Sequence, residues 1–334
     1  MTGLIDVHAH FCPGDFPADP KAGGTKGWPC MDCASGANRS VMVDGDLFRA
    51  LDDRSWDAQR RIADMDRDGV AIQVLSPMPE LLAYWVEDPA YDLLAAHVNG
   101  AIASIVAKHP KRFRGLGMVA MQDPARAVKM LPDIKTKYGL SGIEIGSNIN
   151  GLALGDPRFD EVFAACEDLG LSVFVHALHP AATPHIDPSP TFGALVGFPI
   201  DTAVTIAHLL MSGVTQKFPN LRIGFSHAGG AILSILHRLD KGWHVTKGYG
   251  GKLDLPPSQA ARGLFYDSLV YDPGYLSQFL EGVGEGQTFL GTDYPYLIMQ
   301  DDPASFLAAT SISDNSRDSV RFGAARRFLD LETT

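Results

Sequence analysis

Four histidines and one aspartate follow short apolar segments of this chain, and these residue types bind metal ions and transfer protons. His8 and His10 end the first segment, where an extended backbone directs side chains two residues apart to the same side. A single His-x-His pair also arises by chance. The arrangement recurs, however, because His176, His227 and Asp293 each follow another apolar segment. This recurrence predicts one polar centre assembled from several strands.

Eight short runs of β-branched and aliphatic residues are candidate strands, and helical patterns separate them. The candidate strands are residues 4–7, 71–75, 114–119, 142–145, 172–175, 222–225, 264–269 and 288–290. Helical patterns at 56–68, 124–138 and 157–169 each stop before a glycine, which readily adopts the positive φ that ends a helix. These alternations favour a single-domain (β/α)8 TIM barrel over residues 1–334. An open, doubly wound parallel sheet is the alternative.

A barrel would bring the five polar residues together, because the carboxyl ends of all its strands meet at one face. Three imidazoles and one carboxylate form a ligand set suited to Zn²⁺ or a similar borderline ion, with a position left for water or substrate. A histidine beside such an ion, with a pKa near neutrality, can transfer protons at pH 7. The sequence therefore predicts a metal-dependent enzyme.

The composition excludes several other classes of protein. The 334 residues carry 28 Lys and Arg against 39 Asp and Glu, a net charge of -11, which argues against nucleic acid as a partner. No run approaches the roughly 20 uninterrupted apolar residues that span a bilayer, so no membrane partner is expected. The four cysteines are too few for a disulfide framework, and we expect a cytoplasmic protein.

Residues 14–47 interrupt the alternation of strands and helices. They are rich in Pro, Gly, Asp and Asn and have no helical period, so we interpret them as an insertion after the first strand that closes over the barrel mouth. Within it, Cys30 and Cys33 have the C-x2-C spacing of zinc knuckles, to which Cys12 could add a ligand. No second Cys pair or His pair stands at the spacing found in zinc fingers, so the alternative is that these are ordinary loop cysteines.

The chain resembles the amidohydrolase superfamily and, within it, the branch typified by 2-amino-3-carboxymuconate-6-semialdehyde decarboxylase. The resemblance extends over nearly the whole chain and is specific for this branch because its motifs occur in order and at matching intervals. These motifs are residues 5–10 (IDVHAH), 48–49 (FR), 112–117 (RFRGLG), 174–176 (FVH), 195–199 (LVGFP), 218–221 (FPNL), 227–230 (HAGG) and 290–295 (LGTDYP).

The resemblance implies metal ligands at His8, His10, His176 and Asp293. It implies that His227 is the catalytic acid and base beside a metal-activated water, and Asp293 also belongs to the catalytic set. The expected cofactor is one divalent ion, Zn²⁺ in the first place, with Mn²⁺ or Fe²⁺ as alternatives. No organic cofactor is expected, because the chain has neither a G-x-G-x-x-G turn after a strand nor a P-loop.

The resemblance also implies residues that bind a small anionic substrate. Arg49 matches the arginine that holds the substrate carboxylate, although Arg39 or Arg54 could take its place. Arg238 matches an arginine that reaches into the site of the neighbouring subunit, which predicts a homodimer. Phe192 stands where the decarboxylase has a tryptophan-rich approach to the motif at 195–199, and we expect it to contact the substrate.

The predicted activity is non-oxidative decarboxylation of a small aromatic or ring-opened, carboxymuconate semialdehyde-like acid. The same metal site could instead hydrolyse or hydrate an intermediate of aromatic catabolism, because an activated water serves both reactions. A catalytically dead barrel that acts as a scaffold is a third hypothesis. It is disfavoured because all five site positions carry residues able to do the chemistry.

Overall fold

The computed structural model describes residues 3–21, 24–35, 38–86, 90–181, 185–187 and 189–331, without the side chains of 33–35. Eight parallel strands pair with one another in chain order. They are Leu4–Phe11, Val70–Pro77, Phe113–Gly117, Gly142–Gly146, Ser172–His176, Ile223–Phe225, Phe265–Asp267 and Thr288–Phe289. All eight predicted strands are present.

The first strand and the segment after the eighth strand close this sheet into a barrel. The backbone N–H of Val7 donates to Leu290 O at 2.9 Å, and the N–H of Asp293 donates to His8 O at 2.8 Å. The predicted (β/α)8 barrel is therefore confirmed, and the open sheet is excluded. The same hydrogen bonds hold Asp293 directly beside the first strand.

A β-bulge interrupts the pairing between the first two barrel strands. Asp6 pairs with Gln73, and Ala9 pairs with Leu75. Between these two pairs the first strand therefore contains one residue more than the second strand. One extra residue changes which side chains point into the barrel, because successive side chains alternate between the two faces of a strand.

The bulge accounts for the contents of the barrel interior. Before it, Ile5 and Val7 belong to an apolar cluster inside the barrel that also contains Phe174. Beyond it, His8 and His10 point into the same interior, and the His8 ring lies 5.2 Å from the Phe174 ring. The interior thus has an apolar floor and a polar top, and the first strand contributes side chains to both.

Helices surround the barrel and connect its strands. Those of at least five residues are Ala58–Asp68, Ala90–Lys108, Pro124–Thr136, Asp160–Leu169, Phe198–Ser212, Ile232–Val245, Pro273–Val283, Pro303–Ala308, Asp314–Asp318 and Ala324–Leu329; shorter ones are Pro190–Phe192, Val214–Lys217 and Pro257–Ala260. Lys247–Gly251 is instead a turn in the left-handed region, with φ between 52° and 81°. The three predicted helical patterns are present. Gly69 and Gly170, with φ of 72° and 64°, end two of them.

Two helical segments, Ala90–Lys108 and Pro190–Ser212, are long and apolar enough to cross a membrane. The first buries Leu94, Val98 and Ile102 in the core around the barrel, which accounts for its apolar composition. The second buries one face and leaves apolar side chains such as Val204 exposed on the other.

The segment predicted as an insertion contains a three-stranded antiparallel sheet, named here the small sheet. Its strands are Pro29–Ser35, Asn38–Val43 and Asp46–Leu51, so the sheet continues past the predicted boundary at Leu47. Within the segment, Cys30 is an exposed free cysteine. The side chain of Cys33 lies outside the described residues, so the zinc knuckle stays a hypothesis.

Candidate metal centre

Four of the predicted residues meet at the carboxyl ends of the barrel strands. His8, His10, His176 and Asp293, together named the His3Asp group, are buried and each offer one ligand atom, all within 4.8 Å of one another. His8 Nε2 lies 2.9 Å from His10 Nε2, and His10 Nε2 lies 3.0 Å from Asp293 Oδ1. This spread suits a single ion, whose bonds to nitrogen and oxygen ligands are about 2.0–2.2 Å long.

Protein groups hold the outer nitrogens of two of the three imidazoles, which turns the inner nitrogens of these two rings toward one point. His8 Nδ1 donates to Asp267 Oδ2 at 2.6 Å, and His176 Nδ1 donates to the Ala177 carbonyl at 2.8 Å. His10 Nδ1 has no hydrogen-bond partner among the described residues, and a carboxylate oxygen of Glu144 lies 4.0 Å from it. Metal-binding histidines in proteins are oriented in the same way by a partner on the second ring nitrogen.

The protonation states also fit a cation at this point. Burial lowers the pKa of His10 to about 4 and that of His176 well below its usual range, so both rings are neutral, as ligands must be. Burial also opposes charge on His8, but Asp293 and Asp267 outweigh it and raise the pKa of His8 to about 10. Asp293 Oδ1 lies 3.3 Å from His8 Nε2, so the carboxylate that attracts a proton to this nitrogen would also attract a metal ion to it.

Two orphaned atoms give the strongest indication of a ligand. His176 Nε2 and Asp293 Oδ1 are buried and make no hydrogen bond of acceptable geometry with the described residues, and the groups close to Asp293 Oδ1 are His10 Nε2 at 3.0 Å and His8 Nε2 at 3.3 Å. Buried polar atoms are nearly always paired, because leaving one unpaired costs about 1–3 kcal/mol. A divalent ion between these atoms would satisfy both, so the residues present fit the metal that the sequence predicts.

His227 stands beside the His3Asp group without belonging to it. Its ring centroid lies 5.1 Å from that of His176 and 5.4 Å from that of His8. Ser226 Oγ lies 3.1 Å from His227 Nδ1, so Nε2 is the nitrogen that can exchange a proton with a substrate. Burial and the neighbouring His8 lower the pKa of His227, and the ring is therefore neutral at pH 7.

A cavity of about 800 Å³ opens onto the metal centre and is lined by His176, His227 and Asp293. The small sheet forms one wall, which includes Arg49. A volume of this size accepts a small organic acid.

Arg49 is already paired within this cavity. Its guanidinium contacts the Glu80 carboxylate and lies 4.8 Å from the centre of the Tyr296 ring. The Tyr296 ring in turn lies 5.0 Å from the His10 ring, which connects the arginine to the metal centre. A substrate anion that binds Nη2 of Arg49 competes with Glu80, whereas Arg49 Nε has no hydrogen-bond partner among the described residues.

The two alternative arginines also line the cavity, but each has partners of its own. Arg54 forms an ion pair with Asp52, at 2.9 Å from Nη2 to Oδ2. Arg39 donates to the Gly14 carbonyl and lies 4.6 Å from the centre of the Trp56 ring. Arg54 also lies 6.0 Å from the centre of the Tyr294 ring, whereas the ring beside Arg49, that of Tyr296, is the one that lies against a histidine of the His3Asp group.

The structure does not bring Arg238 and Phe192 to this cavity. Arg238 is exposed on the helix Ile232–Val245. The helical segment from Pro190 turns Thr191, Leu195 and Phe198 toward the cavity, and Phe192 lies outside that lining. Helical spacing explains the difference, because residues three and four apart share a face and Phe192 is off that face.

Sequence reasoning missed Asp267 and Glu80. Asp267 ends the seventh barrel strand, just as His176 ends the fifth, so an ionisable residue in that position was an available signal. Glu80 lies in a 3-10 turn after the second barrel strand, and nothing in its local sequence pairs it with Arg49.

Comparison with known proteins agrees with the fold and the site. The sequence model described as amidohydrolase matches residues 5–331. The 2-amino-3-carboxymuconate-6-semialdehyde decarboxylase of Dictyostelium discoideum is 33% identical, over 98% of this chain and 92% of that protein. The crystal structure of 5-carboxyvanillate decarboxylase LigW from Sphingomonas paucimobilis has a TM-score of 0.81 at 26% identity, over 99% of this chain and 100% of that one.

A more distant solved structure shares the fold. The dihydroxybenzoic acid decarboxylase of Polaromonas sp. JS666, solved with bound manganese and 2-nitroresorcinol, has a TM-score of 0.81 at 22% identity, over 100% of this chain and 98% of that one. The fold and site therefore define a barrel enzyme of the metal-dependent type. The chain belongs to the amidohydrolase family, in the branch that contains these decarboxylases.

Replacing a single ligand should remove the metal. We expect His176→Ala to lose the metal that the wild-type chain retains through dialysis, about one ion per chain, because a ligand is lost. His227→Ala is the matched control, since this histidine is also buried at the centre but lies outside the His3Asp group. Inductively coupled plasma mass spectrometry after dialysis measures both. Full occupancy in His176→Ala, or loss in His227→Ala, would contradict the assignment.

Proposed function

We propose that this chain is a metal-dependent, non-oxidative decarboxylase of a small aromatic or ring-opened dienoic acid. The observation that carries the proposal is the buried His3Asp group, with His227 beside it, at the floor of a cavity lined by Arg49. The decarboxylase names of the relatives support this class of reaction. They also support a place in the breakdown of aromatic compounds.

We assign His8, His10, His176 and Asp293 as the ligands of one divalent ion. Zn²⁺ is our first choice, because three imidazoles and one carboxylate form a borderline donor set, and Mn²⁺ and Fe²⁺ are the alternatives. When bound, the ion would supply Lewis-acid polarisation of substrate oxygen atoms. The family and fold support a soluble enzyme, and we propose the cytoplasm as its location.

The residues of the chain account for the remaining chemistry. Decarboxylation breaks a carbon–carbon bond, and the electron pair stays on the substrate carbon until a proton arrives. A π system next to that carbon delocalises the pair, which is why we propose an aromatic or dienoic acid. His227, neutral at pH 7, can take up a proton at Nε2 and deliver it to the carbon. Arg49 orients the acid, and the apolar wall at Leu195 and Phe198 packs against the substrate skeleton.

Carbon dioxide release distinguishes decarboxylation from the alternative hydrolysis or hydration. We expect the purified enzyme to release CO2 from at least one acid in a panel of dihydroxybenzoates, 5-carboxyvanillate and carboxymuconate semialdehydes. His227→Ala should lower kcat by about 10²–10⁴, the usual contribution of a general acid or base. Mass spectrometry of products formed in H2(18)O is the parallel measurement. Incorporation of ¹⁸O without CO2 release would establish the hydrolase or hydratase instead.

The pairing of Arg49 with Glu80 gives a test of substrate binding. We expect Glu80→Gln to lower KM for acidic substrates by about tenfold. In this variant the substrate carboxylate no longer has to replace a charged partner of Arg49, and a hydrogen bond to a charged group is worth about 1.5–3 kcal/mol. Arg49→Ala should raise KM. Asp52→Asn, which frees Arg54 in the same way, is the matched control and should change KM little. A higher KM for Glu80→Gln would mean that Glu80 itself holds the substrate.

We further propose a homodimer in which Arg238 acts in the partner's site. Arg238 is exposed, and the adjacent helix Phe198–Ser212 presents the apolar side chains of Ile200, Val204 and Met211 at 40%, 56% and 39% exposure. An apolar face beside an exposed cation resembles the core and rim of a protein interface. Contact through this face would supply a second cation to a cavity whose own arginines are paired.

Mixing two inactive variants tests this arrangement. We expect Arg238→Ala and His227→Ala homodimers to be nearly inactive, whereas subunit exchange between them should restore part of the activity. A heterodimer in which Arg238 acts in trans has one complete site and one doubly defective site. Native mass spectrometry confirms the exchange. No recovery after confirmed exchange would place Arg238 outside the partner's site.

A further inference from the structure

Asp267 lies beneath the metal centre as the last residue of the seventh barrel strand, and its side chain is fully buried. Its carboxylate accepts hydrogen bonds from four donors. Oδ2 accepts from His8 Nδ1 at 2.6 Å and from the backbone N–H of His227 at 2.8 Å. Oδ1 accepts from the N–H groups of Ala228 at 2.7 Å and Leu269 at 3.0 Å. A buried anion is tolerated when it is hydrogen-bonded to this extent.

The first of these bonds determines which nitrogen of His8 faces the metal centre. A carboxylate only accepts, so His8 Nδ1 must carry the hydrogen. Nε2 is then the nitrogen directed at His10 and Asp293. Without this acceptor, the His8 ring could take the other tautomer, in which Nε2 carries the hydrogen and cannot bind a metal.

The backbone bonds hold the segment that carries His227. His227 and Ala228 have φ of 56° and 50°, in the left-handed region that L-residues other than glycine rarely adopt. Asp267 accepts the N–H groups of both residues, so the turn keeps this conformation through the carboxylate that also orients His8. Asp267 is fully buried and both its carboxylate oxygens already accept two hydrogen bonds each, so it acts through His8 and His227 rather than on the substrate.

We propose that Asp267 is the positioning residue that couples the two functions of the site, by fixing His8 as a metal ligand and His227 as the proton-transferring group with one carboxylate. The kinetic part of the proposal rests on the proposed decarboxylase activity. The metal-binding part does not, so the two can fail separately.

Asp267→Asn is the test. The amide has nearly the same shape as the carboxylate, but only its oxygen can accept hydrogen bonds. We expect the Kd for Zn²⁺, measured by chelator competition, to rise by about 10–100-fold, as when the partner of a metal-binding histidine is lost. At saturating Zn²⁺, kcat should remain at least about tenfold low, with KM within about twofold of wild type, because His227 is displaced as well. Asp272→Asn, the same substitution at the exposed N-cap of the helix Pro273–Val283, is the matched control and should preserve both quantities.

Three results would overturn the proposal. The first is a Kd for Zn²⁺ within about twofold of wild type in a folded Asp267→Asn. The second is full recovery of kcat at saturating Zn²⁺, which would remove the coupling to His227. The third needs no variant: ¹⁵N histidine NMR of the zinc-loaded wild type should show hydrogen on His8 Nδ1, and hydrogen on Nε2 would refute the assignment even if Asp267→Asn does not fold.

Discussion

Closure of the barrel between its first strand and residues 290–294 is the contact on which the site depends. The hydrogen bond from the Asp293 N–H to His8 O places the carboxylate of the last barrel segment against the histidines of the first strand. Asp6 supports this closure, because its carboxylate accepts from both the N–H and the hydroxyl of Thr292, at 3.0 and 2.7 Å. Without closure, the His3Asp group would lack its carboxylate.

The site also has to bury several ionisable groups within one small volume. Asp293 and Asp267 flank His8, while burial keeps His10 and His176 neutral. Glu144, on the fourth barrel strand, contributes little further negative charge, because burial raises its pKa to about 8. Two carboxylates around one centre leave an excess of negative charge that a divalent cation would balance. The electrostatics and the orphaned atoms therefore lead to the same conclusion by separate routes.

The sequence was sufficient to predict the barrel and the residues that the structure gathers at its mouth. Each site residue can be recognised in the sequence because it stands at or just after the end of a strand. In a barrel the carboxyl ends of all strands meet at one face, so the order of the strands is enough to predict that these residues come together. The bulge between Asp6 and Ala9 was not predictable, because an extra residue in one strand is defined only by its pairing with the neighbour.

Contacts between distant segments account for the remaining differences. The small sheet has short strands rich in polar residues, so its sequence resembles a loop, and Phe192 could not be placed until the start of its helix was known. Asp267 and Glu80 act through partners 259 and 31 residues away, His8 and Arg49, which no local pattern encodes. Sequence patterns locate the residues at strand ends, whereas the tertiary structure identifies the groups that orient them.

The central claim is that a single divalent ion joins His8, His10, His176 and Asp293. Anomalous X-ray diffraction tests it most directly, with crystals of protein purified without chelators and data collected on both sides of the zinc, iron and manganese absorption edges. We expect one strong anomalous peak per chain, within bonding distance of His8 Nε2, His10 Nε2, His176 Nε2 and Asp293 Oδ1. An anomalous map without a peak there, from protein that is folded and has not been exposed to chelators, would contradict it.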